Sequence, residues 1–183
     1  MSIFRCVAFV SILTALLVPA LVRADVADSA ANGFTVKLAI AIEAPPQEVY
    51  SRLVRNVGAW WDPTHTFSGD ARNLSIDDKP IGCFCEKLPG GGGVRHLEVV
   101  YAEPGKRLVF SGGLGPLESM AATGRLTIQL APAGAGTKLT AIYAVTGYVP
   151  AGMNAWAPPV DVVLTQQFTR LKKFIENGKA APK

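Results

Sequence analysis

The chain has 183 residues, 49% hydrophobic and 17% charged, with a net charge of +4 and three cysteines. Its basic residues are scattered, with no stripe interleaved with aromatics, so nucleic acid is not an expected partner. The length suits one domain with a sizeable core, and so few cysteines cannot make a disulfide scaffold.

Residues 1–24 read as a signal peptide. MSIFR is a short basic start, CVAFVSILTALLVPALV an apolar run, and Val22-Arg23-Ala24 places small residues where a signal peptidase cuts. Cleavage after Ala24 is expected to leave a chain starting at Asp25, exported to a periplasm or secreted, in an oxidising compartment. The competing reading, a retained anchor, needs roughly 20 apolar residues, and this run is shorter. Cys6 leaves with the signal. Without Arg5 and Arg23, 16 basic residues face 14 acidic ones, a net of +2. Nothing later in the chain is long and apolar enough to span a bilayer.

The head 25–33, DVADSAANG, reads as a flexible segment. FTVKLAIAIE (34–43) alternates, with Val36, Leu38, Ile40 and Ile42 on one face, and predicts a half-buried strand. Pro45 and Pro46 then open a helix carrying Val49, Tyr50, Leu53 and Val54 at helical spacing. After VGAWWDPTHTFSG come short strand candidates at 72–76, 81–88, 93–102, 107–112, 122–131 and 137–147. Their connectors DDKP, PGGGG, EPGK, GLGP and PAGAG suit hairpin loops. Alternation along 125–130 and 139–145 implies an antiparallel sheet with one packed face. The last element, from Pro158 to Asn177, is a long amphipathic helix with a stripe of Val160, Val163, Leu164, Phe168, Leu171 and Ile175, stopped by Gly178. Residues 179–183 read as a disordered tail.

The expected fold is therefore α+β, over 34–178. A curved antiparallel sheet of about six to seven strands wraps on the C-terminal helix, with a short helical pair after the first strand: a helix-grip arrangement. This order, with the phrases IEAPPQEVYSRLV, AWWDP, YAEPGKRLVFSGGLGP and FTRLKKFIENG, resembles the START/Bet v 1-like (SRPBCC) superfamily. The most similar branch is the polyketide cyclase/dehydrase and Hsp90-ATPase-activator-like group, and the likeness covers roughly 34–177. It implies a deep apolar cavity between sheet and helix. On the strand phases above, the candidate lining is Leu38, Ile40, Phe84, Leu97, Val99, Tyr101, Phe110, Leu126, Ile128, Tyr143, Phe168 and Leu171, with Trp60 and Trp61 at the mouth or the sheet's edge.

Polar chemistry concentrates in two places. Asp62 and His65 flank a proline turn, where a carboxylate could activate an imidazole; equally, Asp62 caps the turn and His65 is a surface residue. In the hairpin around PGGGG, a Pro89–Gly92 loop opposes Phe84 to Leu97, Glu86 to Arg95, Cys85 to His96 and Cys83 to Glu98. Glu86 and Arg95 then form an inward ion pair, holding a ligand's polar group or lying at a solvated rim. Cys83, Cys85, His96 and Glu98 gather on the convex face. The thiols are free, or form a disulfide, or with His96 make a metal site. No nucleophile elbow, phosphate loop, HExxH or EF-hand pattern is present. The leading expectation is a binding protein, without cofactor, for a small lipid, aromatic or polyketide-like molecule. Its rivals are a cyclase or dehydratase using the same residues, and a protein-interaction module with a filled core.

Overall fold

A computed structural model describes residues 23–178. The signal peptide read at 1–24 and the tail at 179–183 lie outside these residues, apart from the backbone of Arg23 and Ala24.

Among the described residues, eight strands form one antiparallel sheet. They are β1 (Arg23–Ala30), β2 (Gly33–Ile42), β3 (Leu74–Ile76), β4 (Cys83–Lys87), β5 (Gly93–Glu103), β6 (Arg107–Ser111), β7 (Ala121–Ala133) and β8 (Gly136–Tyr148). Their spatial order is β1-β2-β8-β7-β6-β5-β4-β3. Two helices, α1 (Pro46–Arg55) and α2 (Val57–Trp60), follow β2, and the long α3 (Ala157–Asn177) closes the chain. No helix among the described residues is long and apolar enough to cross a membrane.

Local chemistry sets these elements. Pro46 sits at the start of α1, where its missing N–H is no loss, and Val49, Tyr50, Leu53 and Val54 are buried as the spacing requires. α3 stops at Gly178, whose φ of 63° is the left-handed cap that glycine adopts most cheaply. The inner faces of β2, β7 and β8 bury Leu38, Ile40, Leu126, Ile128, Leu139 and Tyr143 in one core with Leu164, Phe168 and Leu171 of α3.

The head is the first correction. Residues 25–30 are not a flexible leader; they form most of β1, an edge strand paired to β2 from Arg23↔Ala39 to Ala30↔Gly33. This brings the sheet to eight strands rather than six or seven. Its short side chains carry little strand propensity, but backbone pairing along the free edge of β2 and the packing of Val26 on the core suffice. The anticipated cleavage point after Ala24 falls within this strand.

The β4–β5 hairpin is the second correction. Leu88 N–H bonds to Gly92 O at 2.8 Å, so the loop is one residue tighter than expected, with Gly90 and Gly91 at φ 87° and 95°. Lys87, Glu86 and Cys85 pair with Gly93, Val94 and Arg95, whereas Phe84 and Cys83 keep the anticipated partners Leu97 and Glu98. His96 is the extra residue of the bulge between these two registers. The Glu86–Arg95 ion pair therefore does not form: Arg95 turns outward to Glu98, at 2.8 Å. His96 is turned inward and leaves the two cysteines. A second shift at Val100 reverses the phase of Tyr101, which is 44% exposed rather than inward. Its hydroxyl donates to Glu103 at 3.0 Å, and the Arg107 guanidinium lies 5.1 Å above its ring.

Cys83 and Cys85 form a disulfide on the outer face, with Cα atoms 5.4 Å apart. So short a loop constrains the unfolded chain little, worth about 1–2 kcal/mol in the chain-entropy treatment. No group of three or more His, Cys, Asp or Glu side chains is placed to hold a metal among the described residues.

Candidate functional site

A cavity of about 260 Å³ opens at one end of the grip. Three segments wall it: the loop after α2 (Trp61 and Thr64–Phe67), the loop after β6 (Leu114–Leu117), and the first turns of α3 (Pro159, Val160, Val163, Leu164) with Trp156. Leu74, Phe84, His96 and Tyr143 complete it. A void of about 20 Å³ lies deeper, lined by Leu53, Trp60, Phe110, Leu126, Ile128 and Phe168 among others. The two share Trp61, Phe84, Leu114 and Leu164.

Hydrogen bonds fix each wall. Trp61 Nε1 donates to His65 O at 3.0 Å, and Asp62 N–H donates to Gln167 Oε1 of α3 at 2.8 Å. Arg170 Nε donates to Trp60 O at 3.0 Å, and its Nη1 lies 3.6 Å from Asp62 Oδ2. Asp62 Oδ1 accepts from the Thr64 N–H and hydroxyl, at 3.0 and 2.8 Å. Burial pushes the Asp62 carboxyl up, but the Thr64 bonds and the Arg170 charge outweigh it and hold the group below its ordinary value. On the second wall, the Tyr143 hydroxyl accepts from Leu114 N–H at 2.9 Å and donates to Gly112 O at 3.0 Å. Burial pushes that phenol up to about 12, so it stays protonated and its bonds to the loop persist.

The polar centre is a buried pair. Glu86 and His96 are 2% and 4% exposed, and His96 Nε2 lies 2.9 Å from Glu86 Oε2. Glu86 also accepts from the backbone N–H groups of Phe67, at 3.1 Å, and Ser68. Burial pushes Glu86 up, but these bonds from Ser68, Phe67 and His96 hold its carboxyl below the ordinary range. The imidazole lies between two aromatic rings, stacked on Phe67 at 5.8 Å and tilted against Phe84 at 5.4 Å. One carboxylate thus ties β4, β5 and the 61–68 loop together.

Of the residues anticipated from sequence, Trp61, His65, Phe84 and Tyr143 line the cavity, and Trp60, Phe110, Leu126, Ile128 and Phe168 line the inner void. Asp62 is engaged with Thr64 and Arg170, and His65 is exposed at the cavity wall, so the two do not make a buried acid–base pair. Leu38, Ile40, Leu97, Val99 and Leu171 are packed core, absent from the walls of both spaces. Sequence reasoning placed His96 on the convex face with the cysteines, and missed Phe67, Trp156 and Leu114–Leu117. Val160, Val163 and Leu164 stand in the helical stripe, whereas the lining expected from α3 is Phe168 and Leu171, farther along it. The signal for His96 was the run of four glycines, which permits the tighter loop that forces the bulge.

Solved structures share this architecture. DynU16, a protein in the dynemicin biosynthetic locus, matches at 21% identity with a TM-score of 0.56, over 80% of this chain and 48% of its own. This chain therefore spans about half of DynU16. CalU16 from Micromonospora echinospora matches at 18% identity and TM-score 0.55, over 88% of this chain and 87% of its own. MLL2253 from Mesorhizobium loti matches at 21% identity and TM-score 0.54, over 78% and 97%. No family model and no curated protein sequence matches this chain. At such identities the likeness establishes the helix-grip fold and leaves activity to the site.

Proposed function

We propose that this chain is an exported binding protein of the START/Bet v 1-like superfamily, holding one small apolar molecule at the end of its grip. The carrying observation is the cavity of about 260 Å³, walled mainly by Trp61, Phe67, Phe84, Leu114, Leu117, Val160 and Leu164. Binding pockets are concave and mostly apolar, with a few placed polar groups. An engineered apolar cavity of about 150 Å³ accepts benzene, so this one suits a one- or two-ring aromatic or a short aliphatic chain. A filled-core interaction module has no use for such a space. The cyclase reading loses its first acid–base candidate, because Asp62 is committed to Thr64 and Arg170.

Export rests on the N-terminal pattern and is supported by the Cys83–Cys85 disulfide, which suits an oxidising compartment. Intact mass of the protein from its own host tests both at once. The expected mass is that of a chain starting at Asp25, lighter by two hydrogens than the reduced form. A mass retaining the first 24 residues would overturn export as stated.

Val163→Trp tests the cavity. The indole is expected to occupy the space beside Val160 and to weaken binding of an apolar fluorescent probe at least about tenfold, with melting temperature shifted by only a few degrees. Unchanged probe affinity in a folded variant would place binding elsewhere.

A further inference from the structure

The Glu86–His96 pair lies at the cavity but is not explained by apolar binding alone. Among the described residues, the buried side-chain polar atoms lacking a protein partner are Tyr50 Oη, His96 Nδ1, Asp161 Oδ1 and Gln167 Nε2. Of these four residues, only His96 belongs to the cavity wall. Its other nitrogen is committed to Glu86.

We propose that His96 Nδ1 is a hydrogen-bond acceptor for a neutral hydroxyl group on the ligand, making the natural ligand a small apolar alcohol or phenol. This rests on the cavity being the binding site. An ionised carboxylate can only accept, and both Glu86 oxygens already take backbone N–H groups. The proton on a singly protonated imidazole must therefore sit on Nε2, facing Glu86, which leaves a lone pair on Nδ1. An N–H at Nδ1 would have no protein acceptor, between the rings of Phe67 and Phe84, and leaving a buried donor unmet costs more than leaving a lone pair unused. A ligand hydroxyl completes the chain O–H···Nδ1, Nε2–H···Oε2, with Phe67 and Ser68 N–H groups behind it.

The same arrangement discriminates. An ether has no proton to donate and leaves Nδ1 unpaired. A carboxylate brings a negative charge toward Glu86, so fatty and aromatic acids are disfavoured. His96 also borders a polar groove of about 400 Å³ on the outer face, beside Arg95, Glu98, Ser111 and Arg125. If Nδ1 were served from that side, the cavity would not distinguish an alcohol from its ether.

Four probes of one skeleton separate these cases by titration calorimetry on the intact protein at neutral pH: naphthalene, 1-naphthol, 1-methoxynaphthalene and 1-naphthoate. The expected order places 1-naphthol about tenfold tighter than its methyl ether, with the carboxylate weakest. Replacing the pair with leucines (Glu86→Leu with His96→Leu) is expected to erase the naphthol preference and keep naphthalene binding. Equal affinity for naphthol and its ether overturns the assignment, as does tighter binding of the ether or the carboxylate, which would mean that Nδ1 donates. Persistence of the preference in the folded double variant overturns it too. If no probe binds the native protein, the cavity reading fails and takes this assignment with it. If naphthalene binds and naphthol gains nothing, only the assignment falls.

Discussion

Replacing Glu86 with leucine while keeping His96 is expected to destabilise the protein by about 3–5 kcal/mol, because three hydrogen-bonding groups lose their partner. The variant leaves the N–H groups of Phe67 and Ser68 and the Nε2 of His96 facing hydrocarbon, at a position that is 2% exposed in the native chain. Each unmet buried group costs about 1–3 kcal/mol. In a domain of this size that lowers the melting temperature by roughly 10–15 °C. Adding His96→Leu is expected to recover part of the loss, since replacing both members of a buried pair by well-packed apolar groups is often neutral. The pH dependence has a defined sign. A carboxyl held below its ordinary value binds fewer protons folded than unfolded, so its contribution is complete above the ordinary glutamate range. That contribution is lost as pH falls through the lower folded value. Asp62 acts with the same sign, so the variant flattens the acid limb of the stability curve without abolishing it. Thermal melts of both proteins, from neutral pH down through the carboxylate range, check this. A loss below about 1 kcal/mol at neutral pH would remove Glu86 from the centre of the site.

What could be read from sequence, and what could not, divides along a physical line. The α1 helix, the long α3 and strands β2, β7 and β8 were legible because their signals are local: proline at a first turn, glycine past a last one, alternation without interruption. β1 was not, because Asp25–Ala30 has no hydrophobic pattern of its own and is held by the vacant edge of β2. The site suffered from a different cause. Alternation assigns faces only while the register is unbroken, and a one-residue shift sends every later side chain to the other face. β5 shifts twice, at His96 and at Val100. The first shift brought in an imidazole expected outside with the cysteines; the second sent out Tyr101, expected inside. Neither event is encoded at the residue that moves. The His96 bulge follows from a loop closed by two left-handed glycines, and Glu86 gains partners from Phe67 and Ser68, 19 and 18 residues away. Where the grip stays hollow is also non-local. Core residues such as Leu38 and Leu171 fill its middle, and the cavity opens where two loops and the start of α3 arch over the sheet.

Trp60→Ala probes the boundary between filled core and hollow site, and is expected to cost about 3–5 kcal/mol. The indole is 3% exposed; its Nε1 donates to Leu53 O at 3.2 Å, and its ring stacks on Phe168 at 6.4 Å. Truncation leaves a buried carbonyl without its donor and adds most of a side-chain volume to the inner void. That void is separated from the outer cavity by Trp61, Phe84, Leu114 and Leu164, which line both. The consequence is functional as well as energetic. Enlarged, the inner void becomes a second apolar compartment, and free indole added to the variant is expected to refill it. Mass action then restores about 2.7 kcal/mol at a hundredfold excess over the dissociation constant. The control is the parent protein under the same indole concentration. A rise in melting temperature confined to the variant assigns the ligand to the vacated space and identifies Trp60 as the strut that confines native binding to the outer cavity. An equal rise in both means that indole enters the outer cavity and the inner void stays collapsed. In that case Phe168 and Phe110 have closed over the gap, and the cost of truncation should fall toward the lower end of its range.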